Sequence, residues 1–80
     1  MPMNEIKLTN TYVKISDKSA TIQKRSMGYG EAMIYFGTAA PTDDTNSFLL
    51  DTNVASFYET TDNIYARTPH DVPVTVIVGS

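Results

Sequence analysis

Near its end the chain reads VPVTVIVG, in which Val72, Val74, Val76 and Val78 alternate with Pro73, Thr75, Ile77 and Gly79. A period of two places alternate side chains on opposite faces of an extended strand. Four valines on one face need an apolar layer to cover them, and one strand cannot supply it. Pro73 cannot donate to a ladder, which confines it to the strand's start. The rest of the chain must therefore provide partners for a buried β-strand.

The same period recurs upstream. Ile6 and Leu8 alternate with Glu5, Lys7 and Thr9, and Val13 and Ile15 with Tyr12, Lys14 and Ser16. Thr9-Asn10-Thr11 reads as a bend, and Asp17-Lys18-Ser19 as a turn. Residues 20–27 read as a strand, because Ala20, Ile22 and Met27 build no helical stripe; a short helix capped by Asp17 is the alternative. Met27-Gly28-Tyr29-Gly30 predicts a hairpin turn. It is too short for a phosphate-cradling loop, and no Gly-Lys-Ser/Thr follows. Residues 31–38 predict a central strand, with Ala32, Ile34 and Phe36 on one face and Met33 and Tyr35 on the other. The loop 37–47 follows, with Pro41, Asp43 and Asp44. Further strands are expected at Phe48–Leu50 (short and buried), Val54–Glu59 and Asn63–Thr68, with Asp51–Asn53, Thr60–Asp62 and Pro69–Asp71 as turns.

Seven or eight short strands spaced by turn residues predict an all-β fold, a small antiparallel β-sandwich or barrel. One domain is expected over residues 1–80, with 1–11 either its first strand or an N-terminal arm. Its core should hold Ala32, Ile34, Phe36, Leu49, Ile64, Val74, Val76 and Val78.

An 80-residue chain buries only about 60–65% of the surface exposed when unfolded. Such domains gain support from disulfides, metals or partner subunits. The chain has no cysteine and one histidine, so disulfides and the common zinc sites are excluded. Assembly with other subunits is the support that composition leaves open. The net charge is −3, which disfavours nucleic acid as a partner. Lys24-Arg25, the one adjacent basic pair, reads as an exposed strand position. No apolar run is long enough for a membrane helix. The start lacks the regions of a signal peptide, so synthesis in a cytoplasm without Sec-type export is expected.

Catalytic candidates are poor. His70 and Asp71 are adjacent, so on a strand they would face opposite ways. No serine or threonine has a base and an orienting group nearby in sequence. Turn aspartates could gather round calcium, but the Asp-x-Asp-x-Asp-Gly spacing is absent, and Asx-turns account for each of them. No cofactor is expected. Tyr29, Tyr35, Tyr58 and Tyr65 could cover sheet faces, lie in an interface or stack on sugar rings.

The order of motifs adds one more reading. Ile34-Tyr35-Phe36-Gly37 runs into Ala39-Ala40-Pro41-Thr42. Phe48-Leu49-Leu50, Phe57-Tyr58-Glu59, Asn63-Ile64-Tyr65-Ala66-Arg67 and the valine strand follow. This resembles a group of small all-β bacteriophage virion proteins, of the head decoration, cement or fibre-associated type. The resemblance covers residues 31–79 well and residues 1–30 in outline. Asp51-Thr52-Asn53 and Pro69-His70-Asp71 depart from it, standing where glycine-containing turns are common. It implies a structural, non-enzymatic protein of the virion, made in a bacterial host. It implies protein partners: a major capsid or other virion protein, and copies of itself, with a trimer favoured. The alternative is a glycan-binding module of a tail or fibre. Candidate contact residues are Met3, Ile6, Tyr12, Tyr29, Ala39, Pro41, Tyr58 and Tyr65.

Overall fold

The computed structural model describes residues 3–25, 31–50, 55–69 and 74–79. Among them are eight strands and no helix: β1 (Met3–Leu8), β2 (Val13–Ser16), β3 (Ala20–Lys24), β4 (Ala32–Gly37), β5 (Phe48–Leu50), β6 (Ser56–Tyr58), β7 (Asn63–Arg67) and β8 (Val74–Gly79). They form two four-stranded sheets, ordered β1-β8-β3-β6 and β2-β7-β4-β5. Every neighbouring pair is antiparallel. The all-β expectation holds, and the architecture is a sandwich with open edges rather than a closed barrel.

The chain changes sheet at every link except β4 to β5, the single hairpin among the described strands. The hairpin expected at 27–30 falls outside the described residues; β3 and β4, on either side of it, belong to different sheets. The linking residues 26–30 lie outside the described set, as do the turns at 51–53 and 70–71.

The valine strand sits where its period requires. β8 is flanked by β1 and β3, with Ile6 opposite Val76, Leu8 opposite Val74, and Ile22 opposite Val78. Val74, Val76 and Val78 point into the core beside Leu8, Ile22, Ala32, Ile34, Leu50 and Ile64. Residues 3–8 are thus a first strand and not an arm.

Three expectations about side chains are corrected. Leu49 is 51% exposed, and Leu50, at 2%, fills the core position instead. The pairing Ala32 to Leu50 and Ile34 to Phe48 sets that face, because Ala32 and Ile34 already point inward. Phe36 is only half-buried and packs against the core rather than within it. Lys24 is buried, not exposed, because it follows Ala20 and Ile22 on the inward face of β3. Its aliphatic stem can cover the end of the core. Its neighbour Arg25 is exposed and pairs with Glu5.

Candidate interaction surface

The loop after β4 is fastened rather than loose. Asp44 is its anchor: one carboxylate oxygen accepts Nε of Arg67 at 3.0 Å, and the other accepts Nη2. Tyr12 donates its hydroxyl to the same carboxylate and lies 2.6 Å from the Ser47 hydroxyl. The Arg67 guanidinium lies 5.4 Å from the centroid of the Tyr12 ring, within cation–π range, and Nη1 reaches the Asn10 carbonyl at 3.3 Å. Strand alternation explains the reach. Ile64 and Ala66 of β7 point inward, so Tyr65 and Arg67 point outward, over the face across which the loop is drawn back.

Arg67 and then Tyr12 hold the Asp44 carboxyl below the usual carboxylate range. The Arg67 pKa is raised in return, chiefly by its bond to Asp44. Partial burial, then the bond to Asp44, raises the Tyr12 phenol above its ordinary value, so it remains a neutral donor. Within the loop, Asp43 accepts the Thr45 amide at 3.0 Å, and Ser47 N donates to the Asp44 carbonyl at 3.1 Å. Both aspartates are therefore engaged by the protein itself. Among the described residues no three acidic, histidine or cysteine side chains gather in one place.

A cleft of about 260 Å³ opens beside this network, lined by Asn10, Thr11, Tyr12, Pro41, Thr42, Asp43, Asp44 and Arg67. Thr38, Ala39, Ala40 and Thr42 are exposed above it. Gly37 starts the loop under tight packing, since a Cβ there would lie 2.4 Å from Tyr35 Cε2. Only glycine lets the Tyr35 ring rest over the strand end, where it tilts against Tyr65 at 6.4 Å.

The candidate contact residues scatter. Tyr12 and Pro41 meet at the cleft, and Ala39 lies exposed nearby. Ile6 packs against the core, and Met3 begins β1 opposite Gly79. Tyr58 turns toward Phe48 (5.6 Å) and Phe36 (6.1 Å) at one side of the sandwich. Tyr65 is 8% exposed. Tyr29 lies outside the described residues. Tyr35 and Tyr65 thus lie side by side on the outer face of their sheet, apart from Tyr58.

Sequence reasoning passed over Phe57, which is 64% exposed on β6, and expected Phe48 and Leu49 to be buried, whereas both are exposed on β5. The signal was there in Phe57-Tyr58: neighbours on a strand face opposite ways, and Tyr58 faces in. Comparison with protein-family models, curated proteins and solved structures returns no match in any of the three.

Proposed function

We propose that the chain is a bacteriophage structural protein, a head decoration or cement subunit that acts through protein–protein contacts. The motif order over residues 31–79 suggests the virion, and the fastened loop 38–47 carries the contact reading. A loop already ordered loses little entropy on docking. Arg67 and Tyr12 hold Asp44 of this one from two directions. What it presents is small: Ala39 and Ala40 let a partner backbone approach closely, and Pro41 stiffens the segment between them and Asp43.

The test is binding to heads of the encoding phage that lack the protein. Purified chain should co-sediment with those heads. Ala39→Trp should weaken binding about tenfold or more by steric clash, while leaving the melting temperature unchanged. Heads that neither bind the chain nor lose stability without it would overturn the assignment.

A further inference from the structure

The four large apolar side chains exposed among the described residues are Val13, Phe48, Leu49 and Phe57. All four lie on edge strands: Val13 on β2, Phe48 and Leu49 on β5, Phe57 on β6. The edges come in pairs. The Phe48–Tyr58 ring contact places β5 and β6 on one side of the sandwich. β1 and β2 close the other side.

The two sides differ in charge. Residues 3–18, carrying β1 and β2, hold Lys7, Lys14 and Lys18 against Glu5 and Asp17. The described residues of 47–62, carrying β5 and β6, hold the acids Glu59 and Asp62 and no cation. They also differ in direction. In an antiparallel sheet of four strands the first and last run oppositely, so β6 is antiparallel to β1, and β5 to β2. A copy turned about an axis along the strands would therefore bring β1 beside β6 and β2 beside β5 as antiparallel neighbours in both sheets. Strand direction admits this pairing as readily as a two-fold pairing of either edge with itself, and it is the opposite charge that favours β1/β2 against β5/β6.

From this juxtaposition we infer that a second copy of the chain docks its β1/β2 edge on the β5/β6 edge of the first, head to tail. The inference deepens the reading above: one surface joins copies, and the loop 38–47 meets the shell. A head-to-tail contact closes into a ring when its rotation closes. The short β5 and β6 offer few ladder bonds; Phe57 and Leu49, on the outer faces of the two sheets beside Thr21 and Met33, flank the seam on its two sides, with Lys14 and Glu59 at its rim.

Two variants and their mixture test it by sedimentation. Wild type should form a discrete oligomer. Phe57→Glu damages one edge and Val13→Glu the other. Each alone should be a folded monomer, with subunit affinity reduced about thirtyfold or more, as for loss of a central aromatic anchor. Mixed, they still hold one intact edge of each kind and should form a one-to-one dimer. Circular dichroism of each monomer checks that the β-fold survives, and Phe57→Ser with Val13→Ser repeats the experiment without added charge. A monomeric wild type, a Val13 variant that assembles like wild type, or a mixture that stays monomeric would overturn the inference. None of these outcomes bears on whether the chain binds heads, so the two readings fail separately.

Discussion

Asp44 is a turn former by type, yet it organises one end of the molecule. Its carboxylate accepts two guanidinium bonds and one phenol bond. The pair is partly solvated, with side-chain exposures of 21% for Arg67 and 34% for Asp44. Asp44→Asn should therefore cost only about 1–2 kcal/mol, between a charged hydrogen bond and a surface ion pair. The pH dependence has a definite sign. The folded carboxyl titrates below its ordinary value, near 3.9 in a free chain. Above about pH 5 both folded and unfolded forms are ionised and the contribution is complete. As pH falls further, the unfolded chain takes up its proton first, and the contribution drains away through the folded pKa. Urea midpoints should thus separate wild type from Asp44→Asn fully at pH 6, and the gap should close in strong acid. A gap unchanged from pH 6 to pH 2 would rule out the charged anchor. Asp44 was legible as loop chemistry, but Arg67 lies 23 residues away, and no local pattern joins the two.

At the scale of single strands, alternation carried most of the information. It located the strands that became β1, β2, β4 and β8, and it assigned the inward faces of β4 and β8. It failed at β5, where three consecutive apolar residues show no period. The face of β5 is chosen by β4, which offers Ala32 and Ile34 as inward partners for Leu50 and Phe48. The same logic hid Lys24, since a residue's charge argues for exposure while β3 carries it inward. The β5 assignment is testable by a neighbouring pair. Leu50→Ala should cost about 2–5 kcal/mol by leaving a core cavity. Made in the Phe57→Glu background, where copies do not associate, Leu49→Ala should cost no more than about 0.5 kcal/mol, as at other exposed sites. Equal losses in chemical denaturation would mean that β5 sits the other way up.

The whole molecule is a thin slab, 31 × 30 × 16 Å, with its two sheets facing and both sides open. Strand count and spacing in the sequence led to the sandwich class. They could not give the pairing, because partners such as β1 and β8 are joined by no local turn, and the chain crosses between sheets at nearly every link. A slab of this size has a small core, so covering its open edges would add to its stability. If copies cover them, stability becomes a function of protein concentration, because association draws the folding equilibrium toward the native state. For a trimer, a hundredfold rise in concentration should lift the melting temperature by about 5–15 °C at the sensitivity of a domain this small. Phe57→Glu should melt at one temperature throughout the range, matching wild type at high dilution. Ala39→Trp should keep the wild-type slope, because Ala39 is on none of the four edge strands. A flat wild-type profile would mean that the slab is stable alone and its apolar edges serve another partner. A slope lost in Ala39→Trp would mean that the loop, rather than the edge, joins the copies.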